Sequence, residues 1–200
     1  DPSQKERSLA DFQLVSYVLG ECGNVNEVKE KLQNIRVTNI DPRSSTVHWR
    51  FTEPSGRQIV LEIVDEIMHF YENPLGVLTN SPGLEWHWTN LNNYINLQPG
   101  TPPEHKYGPL QMKSFGHGAG LLGLPGDFTP PSRFVRATFF QLTAPQQASA
   151  QESIFQAFHI LNNFDIPTGT EQPWGKASAD VPSATQFTVA TDTQNCIIYY

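Results

Sequence analysis

Two arginines end the run FGHGAGLLGLPGDFTPPSRFVR (115–136), a stretch without lysine and with a single carboxylate, Asp127. A guanidinium keeps its proton and holds a planar fork of donors. One such group on a surface is ordinary. Two of them, Arg133 and Arg136, behind so many glycines and prolines, imply that at least one is aimed. A second candidate is Asn80, which closes the apolar stretch GVLTN (76–80) and is followed by Ser81-Pro82, so the chain turns there. An amide in that position either donates two hydrogen bonds into a cleft or satisfies its own turn. Trp86 and Trp88 flank His87. They form an aromatic ligand platform or, as alternate residues on one face, pack into the core, the common fate of tryptophan.

Other chemistries find less support. The histidines, at 48, 69, 87, 105, 117 and 159, show neither HxH nor HxxxH spacing, so no metal site is expected. His117 lies between glycines and is expected to be exposed, but no partner for it as a base can be named. Ser132 lacks the GxSxG context of a hydrolase nucleophile. GxGxxG and P-loop patterns are missing, and GHGAGLLG reads as merely glycine-rich. Cys22 and Cys196 lack metal-ligand spacing and are expected to be plain buried thiols, with a disulfide between them left open.

The elements that position these residues belong to one large domain. The chain has 200 residues, 38% of them hydrophobic and 16% charged, too apolar for disorder. A net charge of -7 and the lack of any Lys/Arg cluster argue against a nucleic-acid partner. No apolar run is long enough for a membrane span. Ser8 and Asp11 suggest a capping box for a first helix with Leu9, Phe12, Val15 and Leu19 on one face, stopped by Gly20. Asn24 and Glu27 repeat the signal for a second, with Val25, Val28, Leu32 and Ile35 as its stripe. From Thr46 the period becomes two. Val47, Trp49 and Phe51 alternate, EPSG (53–56) turns, and Ile59, Leu61 and Ile63 alternate on the return. Further strands are expected at 66–73 and 76–80, and a modest helix at 89–97. A helix capped by Thr129 with Pro130 at its first position should carry Phe134, Val135, Thr138, Phe139 and Leu142. Another should carry Ala150, Ile154, Ala157, Phe158 and Leu161, and a hairpin of 186–190 with 195–200 closes the chain. Helices, hairpin strands, helices, then strands indicate an α+β architecture of sheets covered by helices.

Three long segments, NPLGVLTNSP…WTNLNNYINL, GLLGLPGDFTPPSRFVRA and FQAFHILNNFDIP, resemble the choloylglycine hydrolase family, which includes conjugated bile salt hydrolases and penicillin V acylases. The similarity runs from about Leu9 to Tyr200 and is densest over 73–164. The Trp-His-Trp-Thr-Asn run and PGDFTPPSRFVRA are most similar to the Gram-negative and cyanobacterial branch. The resemblance implies an N-terminal-nucleophile hydrolase fold, an αββα sandwich of antiparallel sheets covered by helices. It implies hydrolysis of a small-molecule linear amide by an N-terminal cysteine whose own α-amino group is the base, without cofactor or metal. It also implies a homo-oligomeric bacterial protein, periplasmic or secreted. Residue by residue, it makes Asn80 the donor to the oxyanion and sets Arg133 beside the nucleophile, the two converging on one pocket. A fixed donor at a developing oxyanion is worth roughly 3–4 kcal/mol. A guanidinium beside a thiol favours the thiolate. Arg136 is then expected to pair with a carboxylate such as Asp127, and Leu121, Leu122, Leu124 and Phe128 to line an acyl pocket or the core.

The nucleophile itself is missing: residue 1 is Asp, and neither cysteine matches the family's opening motif. Residues 1–200 are therefore expected to be a single incomplete domain, the central-to-C-terminal part of the fold without its N-terminal strands, and inactive alone. Two other readings stay open, a non-catalytic ligand-binding module built on Trp86 and Trp88, and a structural subunit of the same fold.

Overall fold

The structure is a computed structural model that describes residues 8–40, 47–171 and 183–200. Asp1 and Thr46 lie outside the described residues. The chain divides into two compact units, residues 1–84 and 85–200.

In the first unit, β1 (Ser8–Ala10) pairs in parallel with β2 (Arg36–Thr38) across the helical hairpin of α1 (Leu14–Glu21) and α2 (Val25–Leu32). A meander of β3 (Trp49–Thr52), β4 (Gln58–Val64) and β5 (Ile67–Glu72) follows, antiparallel throughout with β4 in the middle. Asn24 caps α2 as its sequence indicates. Its side chain accepts from the N–H groups of Asn26 and Glu27, and the Glu27 carboxylate returns to the Gly23 N–H at 2.8 Å. Val25, Val28 and Leu32 then face Leu14 and Val18 of α1 and Ile59 and Leu61 of β4 in one buried cluster. Each such side chain contributes about 1.5–3 kcal/mol by leaving water.

The first helix departs from the expected pattern. Residues 8–10 are drawn into the parallel pair with β2, a turn of 3-10 helix covers Asp11–Gln13, and the α-helix begins only at Leu14. Its buried stripe is Leu14 and Val18. Phe12, Val15 and Leu19 are exposed. The loop Glu53–Gly56 turns the chain as read, with the Gly56 N–H on the Glu53 carbonyl at 2.9 Å. The strand expected at 76–80 does not form. Residues 76–79 run without a ladder partner and are held by side chains instead.

α3 (Leu84–Asn90) starts at the last residue of the first unit and, in the second, passes into a 3-10 turn over Leu91–Tyr94, so the helix lies several residues earlier than 89–97. The glycine- and proline-rich stretch that follows holds an unanticipated small hairpin, β6 (His105–Tyr107) with β7 (Leu110–Met112). α4 (Pro130–Thr143) and α5 (Ala150–Leu161) fall where their apolar spacing puts them. In α4, Phe134, Val135 and Thr138 are buried, and Leu142 is exposed. The closing hairpin pairs Ala190–Asp192 (β8) with Ile197–Tyr199 (β9), a shorter ladder than 186–190 with 195–200. None of the described helices is long and apolar enough to cross a membrane.

Candidate active site

In the first unit, Asn80 is an exposed residue three positions after the buried Val77 and four before the buried Leu84. Both ends of this span are fastened to buried side chains. Upstream, Asn73, only 3% exposed, donates its amide to the Val77 carbonyl at 3.1 Å, and its own N–H binds the Gln58 carbonyl at 2.9 Å. Downstream, the Leu84 N–H donates to Oε1 of Glu62 at 2.8 Å. The turn between contains a cis Ser81–Pro82 bond.

Glu62 is the unexpected member. It sits in the middle of β4, 4% exposed, on the face opposite Leu61 and beside the fully buried Val60. His48, one step beyond the Trp49–Leu61 pair of the β3–β4 ladder, places Nδ1 2.6 Å from Oε1 of Glu62. A carboxylate in that environment is stable only when its oxygens are bonded. The sequence signal was a lone acid inside IVLEIV, a run apolar on both faces, where a solvated strand would have alternated.

In the second unit, α4 clamps the loop that precedes it. Asp127 accepts from the Thr129 N–H at 2.9 Å and from the Thr129 and Ser132 hydroxyls at 2.5 and 2.6 Å. These bonds hold its carboxyl at about 2, well below the usual range, with the Ser132 hydroxyl the largest cause. Thr129 occupies the N-cap position, yet its hydroxyl turns back to Asp127 and leaves the helix N–H groups to others. Arg133 stands in the first turn, half-buried, with Nε donating to the Phe128 carbonyl at 2.9 Å. Arg136 is 6% exposed, its guanidinium 5.2 Å from the Phe164 ring centroid. Its Nη1 donates to the carbonyls of Pro125 at 2.7 Å and Asp127 at 2.6 Å. The expected ion pair with the Asp127 carboxylate is therefore replaced by backbone carbonyls, because that carboxylate is occupied by two hydroxyls. Burial lowers the Arg136 pKa.

Asn80 belongs to the first unit and Arg133 to the second. Trp86 and Trp88 do not share a buried face. They lie on a helix, where residues two apart diverge, and Trp86 is exposed while His87 between them is 1% exposed. His87 stacks on Phe134, the neighbour of Arg133, with centroids 4.6 Å apart and planes within 8°. His117 is exposed, as its flanking glycines indicated. Of the expected acyl-pocket residues, Leu122 is exposed and Leu121, Leu124 and Phe128 are half-buried. Both cysteines are free thiols, and Cys196 is exposed, not buried. Partial burial pushes the Cys22 thiol up, the opposite of what a nucleophile needs.

A model of linear amide C–N hydrolases of the choloylglycine hydrolase family matches residues 1–200. The chain belongs to the choloylglycine hydrolase family. It is 35% identical over 193 residues to a bile salt hydrolase/transferase of Clostridium perfringens, covering 94% of this chain and 57% of that protein. A bile salt hydrolase/transferase of Lactiplantibacillus plantarum is 36% identical over 166 residues, 81% of this chain and 51% of that protein. Among solved structures, a mutant of the conjugated bile acid hydrolase from Clostridium perfringens superposes with a TM-score of 0.80 at 34% identity, over 96% of this chain and 58% of that one. Penicillin V acylase from Agrobacterium tumefaciens shares the fold, with a TM-score of 0.65 at 21% identity over 83% and 45% of the two chains. The chain thus spans between about half and three-fifths of the curated relatives it matches.

This choloylglycine hydrolase family chain has the α+β fold expected of it, the N-terminal-nucleophile hydrolase kind, with antiparallel sheets and the additional parallel β1–β2 pair. Asn80 and Arg133 stand out in the sequence, whereas the side chains that hold the backbone around them, Asn73, Glu62 and Ser132, do not.

Proposed function

We propose that the complete protein hydrolyses linear amide C–N bonds, with a cysteine nucleophile lying outside these 200 residues. The thiolate attacks the amide carbonyl, the amine leaves with a proton delivered by the nucleophile's own α-amino group, and water then releases the acid. Asn80 donates its side-chain amide to the oxyanion that develops during both attacks. Arg133 lies beside the sulfur and favours its ionised form. The observation that carries this reading is the family match along all 200 residues. It is supported by a span that pins the backbone on both sides of Asn80 and by a loop locked onto the first turn of α4, where Arg133 stands.

Conjugated bile salts are the first substrates to test, because the relatives at 35–36% identity are bile salt hydrolases by name and the penicillin V acylase stands at 21%. N-acyl homoserine lactones share the carbonyl beside an apolar acyl group. The experiment incubates the full-length protein and the 200-residue chain separately with glycocholate, taurocholate, penicillin V and an N-acyl homoserine lactone, and quantifies the released amine. The full-length protein is expected to release amine from at least one. Amine release by the 200-residue chain alone overturns the location of the nucleophile. Failure of the full-length protein on all four overturns the hydrolase reading.

A further inference from the structure

Glu62 stands on an interior strand position, next to the fully buried Val60 on the same face, opposite His69 in the β4–β5 ladder and in contact with His48, one step beyond the β3–β4 ladder. Packing alone would be served by another valine there, and burying an ionised carboxylate costs several kcal/mol before its partners are counted. Its partners are therefore the reason to look for a task. One is His48, at 2.6 Å. Another is the N–H of Leu84, the first residue of α3, at 2.8 Å.

The first N–H groups of a helix have no partner within it and are ordinarily served by a Ser, Thr, Asp or Asn just before the helix. Here that position is Gly83, which has no side chain to offer. Its Cα instead lies against the carboxylate: a Cβ on Gly83 would stand 2.8 Å from Oε2 of Glu62. Gly83 makes room, and Glu62 supplies the acceptor from a neighbouring strand. The bond fixes the chain four residues after Asn80. Asn73 fixes it three residues before, through the Val77 carbonyl. Asn80 is the exposed residue in the middle of a backbone span tied down at both ends.

We propose that Glu62 is a positioning residue for the Asn80 amide, acting through the Leu84 N–H and itself oriented by His48. This rests on the reading of Asn80 as oxyanion donor and adds to it a dedicated support. A hydrogen bond to a charged acceptor is stronger than a neutral one. Replacing the carboxylate by an amide leaves the shape but loosens the turn. A displacement of a catalytic group by about 1 Å can cost roughly 10²-fold in rate.

The test is a double-mutant cycle in the full-length protein, with whichever amide substrate it hydrolyses fastest. Glu62→Gln is expected to lower kcat by roughly tenfold or more while KM stays within about twofold. In an Asn80→Ala background the same change should cost nothing further, because its route to the reaction has been removed. Gly83→Ala, which crowds the carboxylate from the other side, should reproduce the kcat loss and serves if Glu62→Gln does not accumulate as folded protein. Full, additive loss from Glu62→Gln in the Asn80→Ala background overturns this inference alone, and so does an unchanged kcat in both Glu62→Gln and Gly83→Ala. If Asn80→Ala itself leaves kcat unchanged, the oxyanion role of Asn80 falls first and this inference falls with it.

Discussion

Arg136 binds Asp127 through the backbone: Nη1 donates to the Asp127 carbonyl at 2.6 Å and also to the Pro125 carbonyl at 2.7 Å. The carboxylate of the same aspartate faces Thr129 and Ser132. One loop residue is thus gripped twice by α4 and its cap, once through its main chain and once through its side chain. This makes Arg136 a structural arginine. Replacing it by methionine keeps the bulk against Phe164 but takes the charged donor away from the Pro125 and Asp127 carbonyls. The expected loss is about 2–3 kcal/mol, which lowers the thermal midpoint of the full-length protein by several degrees. Differential scanning calorimetry of Arg136→Met against wild type reads this, and an unchanged midpoint would show that the two carbonyls find water instead.

The carboxyl of Asp127 gives a second, pH-dependent prediction. In the folded chain it titrates at about 2, against an ordinary value near 3.9. A depressed carboxyl stabilises the fold fully above its unfolded value and loses that contribution as pH falls through the folded one. Asp127→Asn removes the linkage. Wild type and variant should therefore differ by a constant amount from pH 7 down to about 4, and converge as the pH approaches 2. Because Asp127 is exposed, solvent screening keeps the difference to at most about 1 kcal/mol. Urea unfolding at several pH values measures it. A gap that stays constant down to pH 2 would mean that the carboxyl is not specially stabilised.

Two glycines should respond to alanine with opposite signs. At Gly120 a Cβ would fall 2.3 Å from the Gln98 carbonyl oxygen and 2.9 Å from that of Gly100, both backbone atoms. The same residue accepts from the Gln98 N–H at 3.1 Å and donates to the Gly100 carbonyl at 2.9 Å, so the two stretches of loop cannot separate without breaking those bonds. Gly120→Ala is expected to destabilise by about 1–3 kcal/mol or more. Gly20 lies inside α1, exposed, and a methyl group added there would meet no atom within 4 Å. There alanine should stabilise by about 0.5–1 kcal/mol. Chemical denaturation of the two variants decides both signs in one experiment.

How far the sequence could be read follows from which interactions are local. The α2 cap needed only Asn24 and Glu27, within one turn of each other, and came out as expected. α4 and α5 carry their burial signal in their own spacing. The first helix failed because its opening residues were claimed by β2, a partner nearly thirty residues away, and no local pattern encodes that competition. The same holds for the site. Asn80 and Arg133, the residues proposed to act, stand in motifs that the sequence shows directly. Glu62 does not, because its meaning lies in Gly83 and Leu84 more than twenty positions later. The Arg136–Asp127 ion pair looked sound by charge and proximity, but two nearby hydroxyls compete for the same oxygens and win on geometry.

The proposed place of Arg133 beside the nucleophile can be tested through the pH dependence of the rate. A guanidinium near a thiol lowers its pKa, so removing the cation raises that pKa and makes the thiolate scarcer at a given pH. The acid-side limb of kcat/KM in the full-length protein should then move to higher pH in Arg133→Ala, by roughly 1–3 units for a cation within contact distance. Arg133→Lys keeps the charge but cannot keep the guanidinium fork, nor the geometry of the Nε bond to Phe128. It should shift the limb less than alanine while still lowering the rate. The ordering wild type, lysine, alanine along the pH axis is what an electrostatic role requires. A merely structural arginine predicts something else: lower activity in both variants with limbs that coincide with wild type. Profiles measured with one substrate from about pH 4 to 9 separate the two cases, because a loss of folded protein scales the curve without moving it.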